Sequence, residues 1–170
     1  TEPPTPVSTG IAGSYEAIAH YEDSAGNLLF MFNSNGVYDQ NGGFMSGSFG
    51  ILANSSSAEV SIAPVPGNPN RYYLFYNAET CSALYYSIID MSLNGGLGNV
   101  VSLNTLISNV NHSEGMELVS IPGTNNYWLL TYRCGTGFTK YLVSPSGIST
   151  GTVFHPYPMP LGGYDGRGEF

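Results

Sequence analysis

Apolar residues in this chain come in short runs broken by Gly, Pro, Asn and Ser, and nowhere keep the 3.6-residue spacing of a helix for more than a turn or two. Residues 15–21 alternate loosely, Asp23-Ser24-Ala25-Gly26-Asn27 carries turn chemistry, and Leu28-Leu29-Phe30-Met31-Phe32 is an apolar run suited to a buried strand. Together they predict a hairpin. The same order returns at residues 59–63, Pro66-Gly67-Asn68 and residues 72–76, and again at residues 116–121, Pro122-Gly123-Thr124 and residues 127–132.

Superposing Phe30, Phe75 and Leu130 gives spacings of about 45 and 55 residues, inside the range that marks propellers and solenoids. A third strand follows each hairpin, at residues 37–40, 84–91 and 138–144, and a fourth at 48–52, 100–103 and 149–154. Four antiparallel strands per unit is the plan of a propeller blade. The expectation is therefore an all-β chain forming a partial β-propeller, with about three four-stranded antiparallel blades at residues 13–53, 57–104 and 114–155. Residues 160–170 would begin a fourth blade, residues 1–12 would be an extended leader, and 13–170 would be one β domain. The alternative is a β-sandwich, which also shows evenly spaced strands and Gly/Pro turns. Three blades cannot close a ring of about four to eight, so the rest of a parent propeller or another chain is expected to cover the open edges, which would otherwise invite strand addition.

Composition narrows the partners. Among 170 residues only 9% are charged, the net charge is -8, and the four cations Arg71, Arg133, Lys140 and Arg167 are scattered. No cationic stripe for a phosphate backbone exists, which argues against nucleic acid and anionic membrane surfaces. No apolar run approaches the roughly 20 residues that span a bilayer, so no membrane insertion is expected. The start Thr1-Glu2-Pro3-Pro4 has neither Met nor a signal-like stretch, and reads as a processed or excised chain. The acidic, Lys-poor, Asn/Ser/Thr/Tyr-rich balance is that of secreted or surface proteins.

Three motifs carry a family resemblance. They are Pro66-Gly67-Asn68-Pro69-Asn70 with Tyr72-Tyr73-Leu74-Phe75; Tyr86-Ser87-Ile88-Ile89-Asp90-Met91-Ser92-Leu93-Asn94-Gly95-Gly96-Leu97-Gly98; and Tyr127-Trp128-Leu129-Leu130 with Tyr141-Leu142-Val143-Ser144. In these the chain resembles the amino-terminal blades of WD40-like β-propeller regions in large secreted surface proteins of the Bacteroidota. The resemblance implies a secreted or cell-surface module, of the kind carried with PKD-type repeats as type IX secretion cargo, and it brings no established catalytic residues. The chain departs from it at Val37-Tyr38, where a Trp is often found after the valine.

Cys81 and Cys134 each follow the second strand of a unit, on what a propeller makes the same end of neighbouring blades, and are expected to form a disulfide. His20, His112 and His155 lack metal-ligand spacing and read as structural. No G-x-S-x-G elbow occurs, no acid stands out for glycoside hydrolysis, and no cofactor is expected. The turns Asn33-Ser34-Asn35-Gly36 and Asp39-Gln40-Asn41-Gly42 resemble oxygen-rich Ca²⁺ loops only loosely. Asn54-Ser55-Ser56 and Asn111-His112-Ser113 match N-glycosylation acceptors, and Ser24 lies in a stretch resembling an O-glycosylation acceptor. Ligand binding is expected on the loop face near Asn54, Cys81, Asn111 and His112, and Cys134. The function expected is a non-enzymatic interaction or adhesion module with a glycan or protein ligand. The alternatives are a lectin or glycosidase-like propeller, and a structural spacer or secretion cargo segment.

Overall fold

The computed structural model describes residues 17–53, 60–79 and 81–156; the leader 1–12, Asn54, Arg167 and the stretch 160–170 lie outside the described residues. The chain is all-β, with one single-turn 3-10 helix at Asn94–Gly96. Strands β1 (Ala19–Glu22), β2 (Leu28–Asn33) and β3 (Gly36–Asp39) form a three-stranded antiparallel sheet. The rest form one open antiparallel meander: β4 (Val60–Val65), β5 (Asn68–Asn77), β6 (Ser82–Asp90), β7 (Asn99–Ser120), β8 (Tyr127–Arg133), β9 (Gly137–Ser144) and β10 (Gly147–Ile148), while β11 (Thr152–Pro156) also pairs with β9.

Strand β5 explains how these sheets stack. Its run Tyr72-Tyr73-Leu74-Phe75-Tyr76 is apolar on both sides, and successive side chains of a strand point to opposite faces. Tyr72, Leu74 and Tyr76 enter a core with Phe30, Phe32, Val37, Ile89 and Val100, between the first sheet and the β4–β7 layer. Tyr73 and Phe75 enter a second core with Ala63, Leu84, Met116, Leu129, Tyr141 and Val143, against the β7–β9 layer. The result is three stacked layers of strands with the middle one buried on both faces.

The hairpin turns bear out the repeated Pro-Gly motif as a local device. In Val65-Pro66-Gly67-Asn68 and Ile121-Pro122-Gly123-Thr124, proline fixes the second position while glycine takes φ of 80° and 74° at the third. That is the requirement of a type II turn. The Thr124 N–H closes the second turn on the Ile121 carbonyl at 3.2 Å.

Two expectations need correction. Residues 100–103 and 116–121 were expected as separate strands joined by a loop near residues 109–113, but 100–103 and 116–120 belong to the single strand β7. Its first half pairs with β6 and its second with β8, and bulges on both sides, between Ser82/Leu84 and between His112/Met116, bend it from the middle layer into the third. Residues 48–52 do not form a fourth strand of the first unit. A side chain at Gly47 would collide with the Val100 carbonyl oxygen, so the chain crosses β7 there as a strap. The strap's groups bond to β7 instead of to a ladder: Val100 N–H to the Ser46 carbonyl (2.9 Å), and Asn104 through its side chain to the Leu52 N–H (3.0 Å) and Gly50 carbonyl (2.9 Å). Met45, Ile51 and Ala53 nevertheless fill the first core.

Cys81, in the β5–β6 connection, and Cys134, after β8, form a disulfide with Cα atoms 6.0 Å apart, tying the middle layer to the third. No helix among the described residues is long and apolar enough to cross a membrane, and the disulfide is consistent with an oxidising, extracellular location.

Phe75 is fully buried between the middle and third layers. Phe75→Ala is expected to cost about 3–5 kcal/mol in urea unfolding, against less than about 0.5 kcal/mol for Val101→Ala at a 45% exposed site. The disulfide closes a separation of 53 residues, for which the chain-entropy account gives about 4 kcal/mol. Ellman titration of the denatured, unreduced chain should find no thiol, and the Cys81→Ser, Cys134→Ser double variant should lose roughly 2–4 kcal/mol.

Candidate functional site

The two ends of the stacked hairpins have opposite characters. At the disulfide end a polar network lies buried where β7 bends. Asn77, the last residue of β5, donates its amide to the Ser113 carbonyl at 2.7 Å. His112 is fully buried, with Nδ1 3.0 Å from the Thr131 hydroxyl and Nε2 3.2 Å from the Ser108 hydroxyl and 3.1 Å from the Tyr141 hydroxyl. Glu114, 4% exposed, sits in the same bulge. Burial, and then the positive charge of Arg133, pushes the His112 imidazole down to about 4, while burial raises the Tyr141 phenol.

A hydroxyl beside an imidazole invites comparison with a nucleophile and its base. Three features argue against that chemistry. No carboxylate orients Nδ1, since Thr131 occupies it; Nε2 is shared between Ser108 and Tyr141; and a base whose pKa lies near 4 has little driving force at neutral pH. The network instead pairs several of the polar groups at the bulge, while Asn77 Oδ1 and Glu114 Oε1 stay buried without a hydrogen-bond partner.

This geometry also changes the expected binding face. His112 belongs to a strand and is sealed off rather than offered on a loop, whereas Asn111 beside it is exposed. Cys81 and Cys134 are joined, and Asn54 lies outside the described residues. The other histidines are elsewhere: His20 faces Glu22 on β1 at 3.4 Å, and His155 packs its ring against Phe138 on β11.

The described aspartates are committed to turns. Asp39 Oδ1 accepts the N–H groups of Asn41 (2.8 Å) and Gly43 (3.0 Å), and Asn33 Oδ1 accepts that of Asn35 (2.9 Å), so both loosely Ca²⁺-like loops spend their oxygens on their own backbone. Asp23 does the same for Ala25 and Asn27, and these bonds hold its carboxyl below the usual range. Asp90 accepts from Ser92 and from the Arg71 Nε at 2.7 Å, which lowers it likewise. No cluster of three or more His, Cys, Asp or Glu able to hold a metal occurs among the described residues. Ser24 is exposed at the tip of the β1–β2 hairpin.

At the opposite end the two Pro-Gly turns come together. Residues 64–69, Asn125 and Tyr127 line a cleft of about 410 Å³. Pro145, from the β9–β10 turn, closes on Gly67 from the side. The rings of Tyr21 and Tyr72 lie tilted against each other with centroids 4.7 Å apart. Sequence reasoning aligned these turns as equivalent positions but did not read them as a site. The signal was present, since equivalent hairpin tips of stacked layers must emerge at one end.

No family model matches the chain, and neither does any curated protein or solved structure.

The neutral burial of His112 has a definite pH signature. The unfolded imidazole protonates near 6.5, the folded one only near 4. Between these values the unfolded chain binds more protons, so stability falls as pH drops from 6.5 towards 4, by on the order of 3 kcal/mol, and then levels off. In urea midpoints measured from pH 7 to pH 4.5, His112→Asn is expected to show a shallower slope than wild type, though a lower midpoint at pH 7.

Proposed function

We propose that this chain is a non-enzymatic interaction module of a secreted or cell-surface protein, and that its three layers are consecutive blades of a larger β-propeller. The reading rests above all on the outer face of the third layer. There Trp128 stands opposite Val119 and Leu142, and Leu130 opposite Lys140, in the ladders of β7, β8 and β9. Val119 and Phe154 are 42% and 47% exposed, and Lys140 lies 4.6 Å over the Trp128 ring. This sheet face, largely apolar but carrying Lys140 and Glu117, suits the packing of one further layer.

Other features support the same reading. Two packed cores between successive layers are compatible with stacked blades, the disulfide fits an extracellular setting, and the motifs resemble propeller regions of secreted Bacteroidota proteins. The one histidine set among hydroxyls is buried, and the described aspartates are bound into turns, Asp90 also to Arg71.

Trp128 is the single tryptophan and reports on that face directly. Its emission should shift to the blue and its acrylamide quenching should fall when the chain is embedded in its whole gene product, compared with the chain alone. Equal quenching in both would sink the further-blade reading. For the interaction role, labelled chain on an array of extracellular proteins and glycans should bind a defined subset, with no turnover of chromogenic glycosides or esters. Turnover lost in Glu114→Gln or His112→Ala would overturn the non-enzymatic assignment.

A further inference from the structure

We infer that the cleft between the two Pro-Gly turns is a binding site for an uncharged saccharide. This deepens the interaction-module reading and rests on it, because it supplies the ligand class and the place where that ligand would be held.

Charge comes first. On a chain of net charge -8, the cleft is lined by prolines, Val65, Gly67, two asparagines and one tyrosine, with no acid and no base among them. A cationic ligand finds no carboxylate in the lining and an anionic one no cation, so the lining complements a neutral molecule.

The hydrogen-bonding pattern comes second. Pro64, Pro66 and Pro69 have no N–H, so this rim presents carbonyl oxygens in excess of donors. Asn68 and Asn125 add amide groups that can both donate and accept. A ligand rich in hydroxyl donors, with acceptors of its own, answers that pattern. Tyr127 supplies an aromatic ring and a phenol in the same wall, the combination of apolar face and polar tip that a pyranose ring presents in return.

Rigidity is the third element. Asn68 is held by its bond to the Asn70 N–H (3.2 Å), and the second turn by the Thr124 hydroxyl bonds to Ile121 (2.9 Å) and Asn126 (3.1 Å). Binding therefore orders little protein, which matters for a small polar ligand whose contacts are individually weak. The volume of about 410 Å³ lies in the ordinary range of small-ligand clefts and has room for a mono- or disaccharide. A proline-rich peptide is less well served, because such peptides dock on grooves lined by several aromatics, whereas Tyr127 is the one aromatic lining this cleft.

The test uses the whole chain on an array of neutral, sialylated and sulfated glycans, proline-rich peptides and extracellular proteins, followed by NMR titration with the best-bound neutral oligosaccharide. Neutral glycans should bind, with shifts centred on residues 64–69, 125 and 127. Asn125→Ala, at an exposed turn position, should weaken binding about tenfold, Tyr127→Ala at least as much, and Asn111→Ala at the other end should change nothing. Absence of neutral glycan binding, preference for sialylated or sulfated glycans, or a proline-rich peptide as the best-bound probe would overturn the inference. So would affinity unchanged in Asn125→Ala, a variant that leaves the core intact. Binding to proteins alone would overturn this site while leaving the interaction-module reading in place, whereas binding to nothing on the array would end both.

Discussion

The double burial of β5 is the constraint from which the rest of the architecture follows. A strand apolar on one face alone is satisfied by one neighbouring layer; one apolar on both must be enclosed. Tyr72, Leu74 and Tyr76 commit the middle layer to the first sheet, and Tyr73 and Phe75 commit it to the third. Each of these side chains is less than a tenth exposed, so neither interface is optional. The Tyr76 hydroxyl shows how tightly the arrangement closes. It donates to Asn104 Oδ1 at 2.7 Å and meets the Ser87 hydroxyl at 2.6 Å, and burial still raises its phenol to about 12.

Stacking has a cost that falls on β7. One strand must serve the middle layer and then the third, and a regular ladder cannot change partners without leaving backbone groups behind. The bulges at residues 112–116 absorb that change, and the polar network around His112 and Asn77 gathers there because freed carbonyls need donors. The Cys81–Cys134 bridge crosses between layers at the same end. Histidine, amide, hydroxyls and disulfide together read as the closure of a fold. The His112 ring nitrogens are taken up by hydroxyls of the same set.

Much of this was legible in the chain itself. Hairpins, Pro-Gly turns, the third strands of each unit and the cysteine pair follow from two-residue alternation, from φ limits at proline and glycine, and from the offset between like positions. Two elements were not. The strap at residues 45–53 looks strand-like in composition, but its bonds run to the Asn104 side chain and to β7, and nothing local distinguishes such bonds from a ladder. The continuity of β7 was hidden for the opposite reason. Asn109-Val110-Asn111-His112-Ser113 has loop-like polarity, and only the bend between layers makes buried polar residues acceptable in a strand. For the site, the loops nearest the cysteines drew attention because they carry nameable chemistry, whereas prolines and amides carry their information in what they lack.

That contrast bears on how the two ends divide labour. In stacked antiparallel hairpins the successive turns within each layer emerge alternately at the two ends, so any repeat of this kind makes two rims from different loop sets. Here one rim is closed by covalent and buried polar links, and the other is left as short, rigid turns whose backbone is partly stripped of donors. A rim fixed at one end tolerates little movement at the other, since strands such as the ten-residue β5 connect them through packed cores. The disulfide end can therefore hold the geometry of the cleft end without touching it. The covalent and buried polar closure and the cleft thus lie at opposite ends of the same strands.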